Sequence, residues 1–567
     1  MSTHGRRLLR AGSLVLTAGL AAALVVAGSG ASAYAAEPLP ELTLPGQCVT
    51  NPQYVADGIS LGCTVTGAPA PDNPNAPEQG NYVHTATIDL TAAGVLPQVV
   101  QSNDRIFQPV GTPAGTNPEI TNETVTSMAN RSGAVVGVNG GYFDNDKGPL
   151  LADVTPQPFS GVVCGGVVID GQVWKSPPNN ADLNASIFVN ADGTMGIGQV
   201  YFDASIQVVA ADGSIQDQHA LDSVNTLGDG VPQPGCPKDH AEPTTGTGIT
   251  LITPDMGDVV LNASYNESPD SQYILPASAA AVEVRAHADG SGGYVVDAVA
   301  LPGRIAEISG LAPGQIILLA SQSDVENTAG FWLKNSIEAG DTLGIPQALA
   351  VGDGSDRLQL GAEITSLVGG VGQIASGGQI LPAGNTPFPR GTNAETVVGL
   401  DESGTAVTLA VIDKVSGTNT SGDVEDSPGV TWQQAAQTVI DLGASEAILL
   451  DGGGSSTLVA QLGAPAIGPS GPSRVTVTNT QDGANNYPNG DFNQRLVANG
   501  LFFSGNIAGP VPTPAPSPVP ATPAPAADGP ALAATGGAPA AGVAFAGLLL
   551  LTGIVTTAGI AARRRVL

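Results

Sequence analysis

The chain has 567 residues, enough for one large domain or two, and a formal net charge of −31 from 50 acidic and 19 basic side chains. That balance excludes recognition of nucleic acid, or of anionic glycans, by bulk attraction, and mainly keeps the chain soluble. With 75 glycines, 45 prolines and only 4% aromatic residues, the composition points to a strand-rich body with many turns.

In chain order, Arg6, Arg7 and Arg10 precede an apolar run from about Leu14 to Ala27, and small residues follow through Ala31, Ala33 and Ala35. A basic start, a short apolar centre and an Ala-x-Ala end read as a secretory signal over residues 1–36. The run is shorter than the roughly 20 apolar residues that a bilayer span requires. Residues 37–80 form an extension carrying Cys48 and Cys63. With Cys164 and Cys236 they make an even count in an exported chain, which predicts two disulfides. Sequence alone allows three pairings. Cys48 with Cys63 is favoured because a loop of about 15 residues closes easily, leaving Cys164 with Cys236. No Cys-x-x-Cys pair exists and the histidines are scattered, so a zinc site is not expected.

From Tyr82 towards Val110 apolar and polar residues alternate, as in a half-buried strand. A helix is expected from Thr121 to Asn130, then a buried strand, Ala134 to Val138, ending in Asn139-Gly140-Gly141-Tyr142-Phe143. Asp144-Asn145-Asp146-Lys147-Gly148 has oxygen ligands at calcium-like spacing but departs from the EF-hand loop. It reads as an exposed acidic turn, so no cofactor is expected, and calcium is the divalent cation this spacing would take. Residues 161–174 suggest a hairpin turned at Asp170-Gly171. Between about Val200 and Asp341 lie strand-like runs such as Ile249 to Ile252 and Ala281 to Arg285, with little chemistry on them.

The most legible unit comes late. Thr431 opens a helix on which Trp432, Ala435, Ala436, Val439 and Ile440 share one face, and Gly443 ends it. Ala447 to Leu450 is then a core strand that delivers Asp451-Gly452-Gly453-Gly454-Ser455-Ser456-Thr457 at its tip. Three glycines admit positive φ and close approach of a substrate to the main chain. Their amides and the two serine hydroxyls suit an anion cradle, with Asp451 beside it to stabilise or attack an anomeric carbon.

Three motifs, in this order, carry a family resemblance: Asn139 to Phe143 with its lead-in, Asp451 to Thr457, and Arg495-Leu496-Val497-Ala498-Asn499-Gly500-Leu501. Gly369-Gly370 to Gly378 and Gly391 to Asp413 add to them. From about Asn81 to Phe503 the chain resembles the phosphodiester glycosidases, which remove a sugar from a sugar-phosphate diester. The resemblance implies a site lined by Asn139, Gly140, Gly141, Gly452, Gly453, Gly454, Ser455, Ser456, Arg495 and Asn499, with Asp451 as the acidic catalytic group. Arg495 is then the phosphate or hydroxyl partner and Asn139 an orienting amide. One departure is informative: where the family reads Arg-Thr-Ala-Ile/Val-Gly, this chain has Glu395-Thr396-Val397-Val398-Gly399. Either Arg390 replaces the missing cation beside Thr396, or Glu395 is a second catalytic carboxyl, or the substrate is an ordinary glycoside.

After the body, prolines at nearly every second position from Pro510 to Pro525 form a semi-rigid spacer. Leu532-Ala533-Ala534-Thr535-Gly536, an apolar run from Ala540 to Ala562, and Arg563 to Arg565 follow. That order resembles a sortase sorting signal, which implies cleavage between Thr535 and Gly536 and attachment to peptidoglycan.

The expected architecture is a signal peptide (1–36), an extension (37–80), a mixed α/β (α+β), strand-rich body with a few helices and a large mixed sheet (81–505), a linker (506–530) and an anchor (531–567). Its expected work is hydrolysis of a sugar 1-phosphodiester or related glycoside at the cell surface, with sortase and peptidoglycan as partners. The rival expectation is a carbohydrate-binding or adhesive protein without catalysis on the same fold.

Overall fold

The computed structural model describes residues 53–506, except 67–80, 107–121, 144–161, 179–183, 227–247, 258, 261–280, 302–306, 309, 353, 355, 383–390, 416–426, 462–473 and 480–493. The described residues fall within one compact unit, Met1–Val511. The secretory signal, the proline linker and the sorting signal with Leu532, Thr535 and Gly536 lie outside the described residues.

Strands dominate, as the glycine-rich, helix-poor composition suggests, with three α-helices among the described residues. An eight-stranded sheet runs in the order Gln53–Ala56, Ile59–Thr66, Asn81–Asp89, Ala406–Ile412, Glu395–Leu400, Glu446–Leu449, Gly372–Ser376, Gln379–Ile380, every neighbour antiparallel. A five-stranded antiparallel sheet has the order Arg474–Asn479, Thr457–Gln461, Val136–Asn139, Asn499–Ser504, Leu96–Gln101. Its buried Val136, Val138, Leu458, Leu501 and Phe503 share one core with Val398, Val407, Ile448 and Leu450.

The third sheet has fourteen strands and takes up most of the middle of the chain. It is mixed, because Ser223–Val224 runs parallel to Thr250–Ile252 while its other pairings are antiparallel. The hairpin at Asp170-Gly171 forms as expected, with φ of 51° and 74° at the two turn residues, the positive pair that a two-residue hairpin turn requires.

Helix α1 spans Val125–Ser132, starting later than the spacing predicts. Glu123 bridges Val497 in extended pairing, so the chain cannot enter a helix before Thr124, whose side chain caps the Ser127 amide. Helix α2 is Ala329–Ser336. Helix α3, Trp432–Asp441, opens with a reciprocal capping box between Thr431 and Gln434. It buries Trp432, Ala435, Ala436 and Val439, each large apolar side chain contributing roughly 1.5–3 kcal/mol. A Cβ on Gly399 would come within 2.7 Å of the Ala444 methyl, so glycine there lets the strand close on the chain leaving α3.

No helix among the described residues is long and apolar enough to cross a membrane. Neither Cys63 nor Cys164 is a free thiol, while Cys48 and Cys236 lie outside the described residues. Non-reducing peptide mapping is expected to recover Cys48 joined to Cys63 and Cys164 joined to Cys236. Labelling of Cys164 by a thiol reagent in the native chain would remove the second bridge.

Candidate active site

Three strand ends meet at one point: the end of Val136–Asn139, the start of Glu395–Leu400, and the tip beyond Glu446–Leu449. The Leu450 amide donates to Thr396 O at 2.9 Å and the Asp451 amide to Gly140 O at 3.0 Å. Asp451 is thereby held between the other two strands.

Asn139 is the hub. Its Nδ2 donates to Asp451 O at 2.8 Å and Gly140 O at 3.1 Å, while its Oδ1 accepts from Thr396 Oγ1 at 2.9 Å and the Thr457 amide at 3.1 Å. The side chain is fully buried and joins the two sheets behind Asp451. In this structure Asn139 and Thr396 brace the site from within.

The motif glycines make room. A Cβ on Gly140 would fall 1.9 Å from Asn499 Oδ1, and one on Gly141 would fall 2.1 Å from Gly369 O. One on Gly452 would sit 2.8 Å from both Glu395 Oε2 and Ala394 O. The Gly452 position is therefore where Glu395 meets the strand-tip loop.

Glu395 is 0% exposed, and neither carboxyl oxygen has a hydrogen-bond partner. Burial first, then the charge of Asp451, push it up to about 8, against a smaller opposing pull from Lys414. Asp451 is 8% exposed. Burial pushes it up to about 6, opposed by the Ser455 hydroxyl, Arg495 and the Gly452 amide. Two neighbouring buried carboxyls hold a single proton between these values. The proton resides on Glu395, which has no donors to stabilise its anion, whereas Asp451 has a hydroxyl, an amide and a guanidinium.

The strand-tip amides, expected to cradle an anion, are used differently. Gly453, Ser455 and Ser456 donate to Ala394 O, Gly452 O and Gly453 O at 2.8, 3.2 and 3.2 Å, and the Gly452 amide serves Asp451's own carboxyl. The 3-10 turn Gly453–Ser455 closes on its own carbonyls, so of this run the Gly454 amide is the one that makes none of these bonds.

Arg495 reaches Ser455 Oγ through Nη1 at 3.4 Å. Its segment is tied to α1: Gln494 Oε1 accepts from the Thr126 amide at 3.0 Å, its Nε2 donates to Thr126 Oγ1, and the Val497 amide donates to Glu123 O at 2.9 Å. Asn499 and Ser456 are buried, and neither Asn499 amide atom nor the Ser456 hydroxyl has a partner.

Tyr142 belongs to this site although sequence reasoning passed over it. Burial and the charges of Asp451 and Glu395 raise its phenol above the usual tyrosine range, so it stays a neutral donor. The available signal was the aromatic residue three positions after Asn139 in the same motif. Behind it, the Cys164 amide donates to Tyr142 O at 2.7 Å. The buried Lys175, lowered to about 8 by desolvation, donates to Cys164 O at 3.3 Å.

The structure thus brings together Asp451, Glu395, Asn139, Gly140, Gly141, Thr396, Gly452, Gly453, Ser455, Ser456, Arg495 and Asn499. Arg390 lies outside the described residues, as does the Asp144 to Gly148 turn. Among the described residues no group of three or more His, Cys, Asp or Glu side chains is placed to hold a metal ion. One hydrogen bond of interest lies further along the eight-stranded sheet, where buried His84 Nε2 meets Asp413 Oδ2 at 3.1 Å.

Residues 304–504 match the phosphodiester glycosidase family; the matched span contains Glu395, Asp451, Arg495 and Asn499 but not the Asn139 to Phe143 motif. It marks a glycosidase-type hydrolase region. No curated protein matches the chain. Among solved structures, an exported protein of Burkholderia pseudomallei is 20% identical, with 76% of this chain and 75% of that one covered and a TM-score of 0.49. A hypothetical protein from Synechocystis is 16% identical, with 79% and 62% covered and a TM-score of 0.46. The catalytic domain of zebrafish N-acetylglucosamine-1-phosphodiester alpha-N-acetylglucosaminidase, auto-inhibited by its pro-peptide, is 14% identical, with 80% and 88% covered and a TM-score of 0.31.

Proposed function

We propose that this chain is an extracellular hydrolase that removes a sugar from a sugar 1-phosphodiester, or from a related glycoside, in envelope or extracellular glycans. The observation that carries the reading is the buried Glu395–Asp451 pair, one carboxyl protonated and one ionised near neutral pH, at the meeting point of three strand ends. A carboxylate beside a neutral acid is the combination that glycosyl transfer to water requires. Asp451 faces the positive charge that develops at the anomeric carbon, and Arg495 and Ser455 hold it ionised. The family match over residues 304–504 supports the same chemistry. The Ala-x-Ala signal, the proline spacer and the Leu532 to Gly536 signal support export and wall attachment through Thr535, with sortase and peptidoglycan as partners.

The test is to incubate the purified chain with a panel of sugar 1-phosphodiesters, including nucleotide sugars, and of simple glycosides, and to detect released sugar by mass. At least one member is expected to yield free sugar. Binding to glycans without release from any panel member would replace the hydrolase with a carbohydrate-binding surface protein.

A further inference from the structure

Among the described residues, Glu395 is the carboxyl buried without a hydrogen-bond partner on either oxygen. It stands at the start of its strand, against Gly452 and the acid of the site. We propose that Glu395 is the proton donor of this site and that the bond cleaved joins the sugar to an uncharged alcohol oxygen rather than to a phosphate. The proposal rests on the hydrolase reading above and narrows its substrate.

The first reason is what a leaving oxygen needs. A phosphate monoester is stable as an anion, its second pKa lying near ~6, so it departs from an anomeric carbon without a proton. An alkoxide is about as basic as hydroxide, whose conjugate acid water has a pKa of ~15.7, so it must be protonated as it leaves. A carboxyl held neutral up to about 8 by burial and by Asp451, with its O–H unspent, serves the second leaving group and is superfluous for the first.

The second reason is the scarcity of free anion donors among the described residues. The amides of Gly452, Gly453, Ser455 and Ser456 are consumed within the loop and its neighbours. Lys414 gives an ammonium hydrogen to Thr392 O at 2.8 Å, and Arg495 acts on Asp451 and Ser455. The groups buried without partners, the Asn499 amide and the Ser456 hydroxyl, are neutral, as is the Tyr142 phenol. Neutral donors and acceptors of this kind suit sugar hydroxyls.

In the step, the O–H of Glu395 is transferred to the glycosidic oxygen as its bond to the anomeric carbon breaks, the bonding pair going to that oxygen. A water oxygen bonds to the anomeric carbon and its proton passes to the Asp451 carboxylate. The products are the free sugar and an alcohol, and solvent returns the proton from Asp451 to Glu395. The charged or titratable groups that act on Glu395 are Asp451, Lys414 and Tyr142; Arg495 acts on Asp451 beside it, and the His84–Asp413 pair lies further along the sheet.

The experiment compares the full chain with Glu395→Gln on phenyl and 2,4-dinitrophenyl glycosides of a panel of hexoses and N-acetylhexosamines, and on the matching sugar 1-(methyl phosphate) diesters. The variant is expected to lose about 10²- to 10⁴-fold in kcat/KM on the phenyl glycosides and less than about 10-fold on the dinitrophenyl ones, whose good leaving group needs little protonation. The wild-type rate is expected to fall as pH rises through about 8, where Glu395 ionises, and that limb is expected to vanish in the variant. Release from the diesters at least as fast as from the phenyl glycosides, with Glu395→Gln unimpaired, overturns the donor role while leaving the hydrolase reading intact. Release from no substrate overturns both. If the variant does not fold, as judged by circular dichroism, the wild type decides: a rate independent of leaving-group basicity and without the limb near 8 overturns the proposal.

Discussion

Asp451→Asn is expected to retain the fold and to lower sugar release by on the order of 10³-fold or more, the usual scale for losing an acid–base or nucleophilic group. The fold survives because the substitution is isosteric and the contacts that place residue 451 are main-chain ones: its amide on Gly140 O and its carbonyl under Asn139 Nδ2. An asparagine oxygen still accepts from the Ser455 hydroxyl and the Gly452 amide that now serve the carboxyl. What disappears is the negative charge facing the anomeric carbon. A second readout separates a chemical role from a structural one. Because the charge of Asp451 helps hold Glu395 protonated, its removal lowers the Glu395 value, and any residual activity is expected to decline at lower pH than in the wild type. Sugar release within about 2-fold of wild type at every pH would remove Asp451 from the chemistry altogether.

Asn139→Ala is expected to destabilise the chain by on the order of 3 kcal/mol, because it strands the Asp451 carbonyl, the Thr457 amide and the Thr396 hydroxyl in a fully buried place. A buried polar group left unpaired costs about 1–3 kcal/mol, partly relieved where water enters the space the side chain leaves. With an unfolding entropy of about 2.1 cal/mol/K per residue, a body of about 425 residues shifts by roughly 1 °C per kcal/mol, so the melting temperature is expected to drop by about 3 °C. Activity is expected to fall further than the folded fraction does, since Asn139 sets the position of Asp451 and the start of the Glu395 strand together. Thermal melts followed by circular dichroism check the first part. A melting temperature within about 1 °C of wild type would mean that the four hydrogen bonds carry no net stability.

Much of the local structure was legible. Helix α3 announced itself through Thr431 and the stripe Trp432, Ala435, Ala436, Val439, because a helix start and helical periodicity are properties of about ten adjacent residues. The Asp170-Gly171 hairpin and the delivery of Asp451 at a strand tip were readable for the same reason. The late start of α1 was not, because a residue far along the chain, Val497, takes Glu123 into extended pairing. The large mixed sheet expected from the sequence is present, but the pairing within its fourteen strands was not readable: Met195–Val209 pairs with four other strands. Alternation shows that a segment is a strand but not which partner it takes.

The candidate site divides along the same line. By itself the sequence determined the identity and motif order of the candidate residues, Asp451, Glu395 and Arg495 among them, and that an acid stands where the family resemblance leads one to expect a cation, since both are local properties. Only the tertiary structure decided what those residues become. Burial of Glu395 against Gly452 and Asp451 makes it a neutral acid, closure of the Gly453–Ser455 turn spends the amides of the expected anion cradle, and Asn139, hundreds of residues from its partners, turns inward to hold them. The reason is physical: a carboxyl's charge and an amide's availability depend on desolvation and on the partners within hydrogen-bond reach, and both are set by chain segments that meet only when the sheets assemble.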